Sequence, residues 1–210
     1  MPDSAFVHVI DDDVSLRRAL IFLLESIGWQ VSGHASAEAF LAAFDRSQRP
    51  ACLVLDIRMP MMSGLELQQV LHGRGIRVPI VFLTGHGDVG MAVQAMRLGA
   101  ADFIEKPFKD QVLLDAVGRA LRQDMEQRGE KRLREALRER LARLSPRELQ
   151  VARLVAQGLP SKTISVQLDI SERTVQVHRL HLMAKLEVHS VAELAKLVLL
   201  GDEDMADGNV

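Results

Sequence analysis

Five times in its first 124 residues the chain sets a short apolar run ahead of a stretch with helical periodicity. That rhythm restricts this part to a parallel sheet covered by helices. The first unit is Ala5 to Ile10, followed by Leu16, Leu20, Leu23, Leu24 and Ile27 at helical spacing. Gln30 to His34 then precedes Ser36 to Phe44, Ala51 to Leu55 precedes Gly64 to His72, Pro79 to Leu83 precedes Val89 to Leu98, and Ala101 to Ile104 precedes a stretch from Asp110 onward. Ser63 with Glu66 makes a capping-box pattern, Asp88 is placed to cap a helix, and Gly28 and Gly99 stand where a left-handed helix stop is wanted. The expected fold is an α/β doubly wound, five-stranded parallel sheet.

Between Asp110 and Leu144 only Gly118 and Gly129 weaken a continuous helix, and Leu133, Leu137, Leu141 and Leu144 recur along it. This stripe is either a coiled-coil seam pairing two chains or a helix leaning on its own domain. Ser145-Pro146-Arg147-Glu148 is a strong helix start, with Pro at the first helical position and Glu three residues after the cap. Gly158 ends that helix, and Ser161 to Leu168, Glu172 to Leu186 and Val191 to Leu200 supply three more. The expected organisation is a sheet domain over residues 1–124, a helical linker over 125–143, an all-α four-helix domain over 144–200 and a disordered acidic tail over 201–210.

At 210 residues and 48% hydrophobic the chain can bury a core in each of two domains. Its net charge of −2 conceals a partition: the three segments 1–124, 125–199 and 200–210 carry −3, +5 and −4. A basic segment between acidic ones suits a nucleic-acid contact, and equally a solvated charged helix. No apolar run approaches the roughly 20 residues that span a bilayer. Met1-Pro2-Asp3-Ser4 lacks the features of a secretory signal, so a cytoplasmic protein with no membrane contact is expected. The single cysteine, Cys52, sits in an apolar run as buried filler.

In a doubly wound sheet the carboxyl ends of the strands line the ligand crevice. The apolar runs here end in Asp11-Asp12, Asp56, Thr84 and Lys106-Pro107. Crowded carboxylates need a cation, and Mg2+ suits them because it is hard and keeps waters. Asp56 can then attack a phosphoryl group while Lys106 and the Thr84 hydroxyl hold its outer oxygens. Val9-Ile10-Asp11-Asp12-Asp13, Leu55-Asp56-Ile57-Arg58-Met59-Pro60, Phe82-Leu83-Thr84-Gly85-His86-Gly87-Asp88 and Glu105-Lys106-Pro107-Phe108 resemble the receiver domain of bacterial response regulators, in particular the FixJ-like subgroup. The resemblance implies Asp56 as phosphoacceptor and Asp12, Asp56 and the Arg58 carbonyl as direct metal ligands, with Asp11 assisting through water. It implies Lys106 as phosphate partner with a cis bond to Pro107, Thr84 as switch hydroxyl and Phe103 as switch aromatic. Many receivers carry Tyr there; Phe103 has no hydroxyl and must work through packing.

The turn Asp169-Ile170-Ser171 joins two helices so that Glu172 to Leu186 is a candidate recognition helix. Val175, Leu182 and Leu186 fall on its inward side. Arg173, Gln176, Val177, Arg179 and Leu180 fall elsewhere and can face a major groove. Lys162, Thr163, Ser171, Thr174 and Lys185 suit backbone phosphates. Leu144-Ser145-Pro146-Arg147-Glu148, Gly158, Lys162, Ile164, Leu168, Ile170-Ser171, Thr174-Val175, Val177-His178 and Lys185-Leu186 resemble the LuxR-type effector domain. Departures from that pattern are Pro160, Ser161, Ser165 and Leu180, the last standing where some relatives have a base-reading Lys.

The two resemblances imply a switch and not an enzyme: a sensor histidine kinase phosphorylates Asp56, the face over residues 89–115 changes shape, and a homodimer binds promoter DNA and contacts RNA polymerase. Two alternatives fit parts of the chain. Asp11, Asp13, Thr84, Lys106 and Gly201-Asp202 with Asp207 resemble a haloacid-dehalogenase-type phosphatase, with Asp11 as nucleophile, which needs Leu194 to Leu200 to be a strand. A phosphorelay protein whose helical half binds protein is the other.

Overall fold

The structure, a computed structural model, describes residues 5–44, 51–85 and 89–202. The expectations placed on His86, Asp88 and Asp207, and on residues 203–210 of the tail, lie outside the described residues. The chain divides into two compact units, 1–128 and 129–210.

In the first unit the elements alternate as β1 (Phe6–Ile10), α1 (Val14–Glu25), β2 (Gln30–His34), α2 (Ala37–Ala43), β3 (Ala51–Asp56), α3 (Gly64–Gly73), β4 (Ile80–Thr84), α4 (Val89–Arg97), β5 (Asp102–Glu105) and α5 (Asp110–Leu141). All strand pairs are parallel, in the order β2-β1-β3-β4-β5. The winding reverses between β1 and β3, which opens a crevice at their carboxyl ends. Residues alternate across the sheet. Cys52 and Val54 of β3 pack with Leu20 and Leu24 of α1 and Leu113, Val117 and Leu121 of α5, whereas Leu53 and Leu55 pack with Phe40, Leu67 and Leu71 from α2 and α3. Burial on both faces is why β3 reads as an unbroken apolar run. Each such side chain contributes about 1.5–3 kcal/mol.

The expected strand ends need a small correction. The strands run through Asp56, Thr84 and Glu105, because the ladder continues: the Ile57 N–H donates to the Leu83 carbonyl at 3.1 Å and the Lys106 N–H to the Thr84 carbonyl at 2.7 Å. The Ser63–Glu66 capping box is formed in both directions, and Gly28 and Gly99 take φ of 90° and 84°. Asp124, buried within α5, accepts from the Ala51 N–H that opens β3 at 2.9 Å and from Arg128 Nε at 2.6 Å. It thereby ties the first strand residue after 45–50 to the last helix of the unit.

The second unit holds the end of α5 with α6 (Pro146–Ala156), α7 (Ser161–Leu168), α8 (Glu172–Lys185) and α9 (Val191–Asp202). Ser145 and Glu148 form the reciprocal box, and Gly158 follows the helix at φ 81°. Leu137, Leu141 and Leu144 are buried with Val151, Val175, Leu182, Leu186 and Leu194, while Leu133 is 52% exposed. The leucine stripe therefore leans on its own unit from residue 137 onward. Glu193 caps α9 differently from a reciprocal box: its N–H donates to Ser190 Oγ, but its carboxylate accepts from the His189 N–H. The segment Leu194 to Leu200 is helix, which removes the strand that a phosphatase would require. Gly201 and Asp202 extend α9 instead of starting the tail. Gly201 is buried where a Cβ would collide with Leu141, so glycine here lets the backbone pack against the end of α5.

Replacing Asp124 with Ala leaves the Ala51 N–H and the Arg128 guanidinium without their shared acceptor. Such a loss costs about 1–3 kcal/mol. Chemical denaturation of the Asp124→Ala variant is expected to show that deficit in the first unit, with Asp124→Asn losing less.

Candidate functional site

The carboxyl edge of the sheet collects one cation and two carboxylates from three strand ends. Asp11 follows β1 and is 2% exposed; its Oδ1 accepts from the Asp13 N–H at 2.8 Å and its Oδ2 from Lys106 Nζ at 2.9 Å. Asp56 ends β3; its Oδ1 accepts from Lys106 Nζ at 2.7 Å and its Oδ2 from the Arg58 N–H at 3.0 Å. Lys106 reaches both because β5 runs in register with β4, Glu105 opposite Thr84, which sets the next residue at the carboxyl edge; its bond to Pro107 is cis. Thr84 closes β4 and is buried. The structure thus joins Asp11, Asp56 and Lys106 in one contact. Asp12 lies exposed beside them, as does the Arg58 side chain. Phe103 is half-buried, opposite Phe82 in the ladder, and packs with the α2–α3–α4 face of the sheet.

Burial pushes the Asp56 carboxyl above its ordinary range, and the neighbouring Asp11 charge adds to this; the Lys106 bond and charge and the Arg58 N–H oppose it without cancelling it. For Lys106 burial acts downward, but its bonds to Asp56 and Asp11 outweigh that and raise it. Negative charge is therefore crowded in the crevice even with the ammonium present. Among the described residues no three His, Cys, Asp or Glu side chains are gathered into a metal cage. One or two carboxylates with water are what Mg2+ accepts, so this hard oxygen set fits that ion and not a thiolate- or imidazole-loving one.

Several residues with no expected role in the crevice support it. Arg17 donates to the Asp11 backbone carbonyl. Gln68 of α3 donates to the Ala95 and Leu98 carbonyls at the end of α4, at 3.1 and 3.3 Å. Gly64 stands where a Cβ would collide with the Asp56 carbonyl oxygen, and its N–H donates to the Ile57 carbonyl at 2.9 Å. A glycine at a first helical position, where it is a poor helix former, was the available signal for that close approach. Asp13 caps α1, its carboxylate accepting from the Ser15 and Leu16 N–H groups, and is held below the usual range by those bonds.

In the second unit α7 and α8 meet through Asp169, Ile170 and Ser171, with Asp169 in the left-handed region at φ 51°. Val175, Leu182 and Leu186 are fully buried, as their spacing requires. Arg173, Gln176, Val177 and Leu180 are exposed, Leu180 by 70%, and Arg179 is half-buried. Lys162 and Thr163 are exposed on α7. The Ser171 hydroxyl accepts from the Thr174 N–H at 3.0 Å and meets the Thr174 hydroxyl at 2.7 Å, so both also serve as the cap of α8. Lys185, expected to suit a backbone phosphate, donates its ammonium to Glu148 at 2.7 Å while its side chain stays 46% exposed. That bond and the Ser145 cap hold the Glu148 carboxyl at about 2. The glutamate was legible as a cap, but its second partner lies 37 residues away.

Removing the ammonium of Lys106 leaves Asp56 with burial and Asp11 alone, so the Lys106→Met variant is expected to titrate Asp56 at higher pH than wild type in carboxyl NMR. A carboxyl raised by folding contributes stability below its unfolded pKa of about 4 and loses it as pH rises through the folded value. The variant's stability deficit should accordingly grow from acidic to neutral pH.

Residues 7–118 match the family described as the response regulator receiver domain, and residues 142–198 the bacterial regulatory proteins of the luxR family. The transcriptional regulatory protein FixJ of Azorhizobium caulinodans is 47% identical over 99% of this chain and 98% of its own length. The response regulator protein TodT of Pseudomonas putida is 42% identical over 92% of this chain and 85% of its own. Among solved structures, the response regulator StyR superposes with a TM-score of 0.83 at 44% identity, covering 93% of this chain and 98% of that one. An acidic crevice on a five-stranded receiver sheet, joined to a luxR-type helical unit, thus makes this chain a member of the FixJ-like response regulators, the phosphorylation-dependent regulators of transcription.

Proposed function

We propose that Asp56 is the phosphoacceptor and that α8 reads promoter DNA. The observation that carries this is the ammonium of Lys106 shared by Asp11 and Asp56, at the point where the sheet reverses its winding. A carboxylate oxygen of Asp56 attacks the phosphorus of a phosphohistidine on a sensor kinase; the P–N bond breaks and the imidazole leaves with its electron pair. Lys106 can pass from the Asp56 oxygen to the new phosphoryl oxygens, and the buried Thr84 hydroxyl ends the adjacent strand. Phe103 answers through packing. Asp11, Asp12, Asp56 and the Arg58 carbonyl would hold Mg2+, which offsets the negative charge of this crevice when bound.

On the helical unit, Arg173, Gln176, Val177, Arg179 and Leu180 would meet base edges from the outward side of α8. Lys162, Thr163, Ser171 and Thr174 would hold backbone phosphates, with Lys185 joining them only if it leaves Glu148. Phosphorylation pairs two chains, and the paired helical units bind two half-sites and contact RNA polymerase. The luxR-type helical unit supports a reading in which the chain works beside DNA in the cytoplasm.

With a labelled small phosphodonor, wild-type chain should incorporate acid-stable, base-labile label and Asp56→Asn none; label retained in Asp56→Asn would overturn the assignment. In gel shifts, Lys162→Ala should weaken binding to all sequences and lower the salt slope by about 1. Gln176→Ala should instead relax preference at one base pair by about 1–3 kcal/mol.

A further inference from the structure

Every polar group of Asp11 has a partner. Its carboxylate is held by the Asp13 N–H and by Lys106, its own N–H donates to the His34 carbonyl at 3.3 Å, and its carbonyl accepts from the Arg17 guanidinium. That carbonyl belongs to the peptide unit joining Asp11 to Asp12. A peptide unit is planar, so a grip on its oxygen also fixes the direction in which the Asp12 side chain leaves the backbone. Asp12 depends on such a grip: it is exposed, and among the described residues its carboxylate has no hydrogen bond.

Arg17 is itself well seated. Its N–H donates to the carbonyl of Asp13, the cap of α1, at 2.9 Å. Its stem lies over Gly33 of β2, where an added Cβ would come within 3.4 Å of Arg17 Cδ and 2.6 Å of Ile21 Cδ1. A glycine inside a strand marks such a close approach. Unlike Lys106, Arg17 takes no carboxylate among the described residues; its guanidinium is directed at a neutral carbonyl. We propose that Arg17 is the positioning residue of the Asp11–Asp12 peptide and thereby sets the affinity of the crevice for Mg2+. This rests on the reading that Asp12 and Asp56 hold that ion and that Asp56 takes the phosphate. A guanidinium beside the crevice also repels a dication, so two roles compete with opposite signs: as a bare charge Arg17 weakens Mg2+ binding, and as a positioning residue it strengthens it. Arg17 is only half-buried, so solvent screens its charge, while the bond to the carbonyl acts at contact and is screened far less; positioning therefore wins.

Mg2+ alone is titrated into the isotope-labelled full chain at fixed ionic strength, below the melting onset of every variant, and followed by amide NMR shifts around Asp12 and Asp56. Arg17→Met keeps the aliphatic stem over Gly33 and removes donor and charge together; Arg17→Lys keeps the charge and one donor group. Affinity for Mg2+ should fall about tenfold in Arg17→Met, the factor that one charge-assisted hydrogen bond carries, and recover in part in Arg17→Lys. Labelling of Asp56 from acetyl phosphate gives a second readout. In Arg17→Met the half-saturating Mg2+ concentration should rise by the same factor, while the rate at saturating Mg2+ matches wild type. Affinity in Arg17→Met equal to wild type or tighter would overturn the proposal, as would a loss of labelling that excess Mg2+ does not repair. Should Arg17→Met fail to fold, Arg17→Gln, whose amide ends two bonds short of the guanidinium tip, decides by the same readouts. A wild-type chain that binds no Mg2+ would overturn the reading of the crevice and this inference with it, whereas normal wild-type binding left unchanged in the variants would overturn this inference only.

Discussion

The ammonium of Lys106 stands 2.9 Å from Asp11 and 2.7 Å from Asp56, and the organisation of the sheet unit follows from the need to keep it there. Three strands must end at one edge, so the winding must reverse between β1 and β3, and β5 must lie on the far side of β4 with its register fixed at Thr84 and Glu105. Burial makes the arrangement costly, since it raises Asp56 and drives Lys106 downward against the pull of its partners. The apolar faces above and below, with Phe40, Leu67 and Leu71 on one side and Leu24, Leu113 and Val117 on the other, supply the stability that lets such a charge cluster persist.

Much of this was legible in the residue pattern, for identifiable reasons. Strands and helices of the sheet unit announce themselves by a change of period, and their ends by residues with one structural use, such as Gly28, Gly99 and Ser63. Asp11, Asp56 and Lys106 were legible because parallel topology sends all strand ends to the same edge. The strand limits were read one residue short at Asp56, Thr84 and Glu105, since polar residues at strand ends look like loop beginnings while the ladder bonds that hold them are invisible in a linear sequence.

Long-range partners were the part that pattern reading missed. Glu148 was seen as the far half of a cap, which spans three residues, but not as the partner of Lys185. Gln68 offered no periodic signal, yet its amide bridges to the end of α4. The leucine stripe left two readings open because a seam between chains and a seam within a unit share one spacing; burial of Leu137 and Leu141 beside Leu194 separates them.

Gly201 carries a consequence for how such chains can be recombined. Its missing side chain admits Leu141, so the hydrophobic interior of the helical unit is completed by a residue that, in linear order, precedes the luxR-type segment beginning at 142. A chimaera spliced at that point would inherit a foreign helix end facing a surface shaped for Leu137 and Leu141. A junction near Gly129, where the two units part, transfers the recognition helix together with the leucines that complete its interior. In such a lineage the exchangeable module is longer than the DNA-binding segment that sequence similarity outlines.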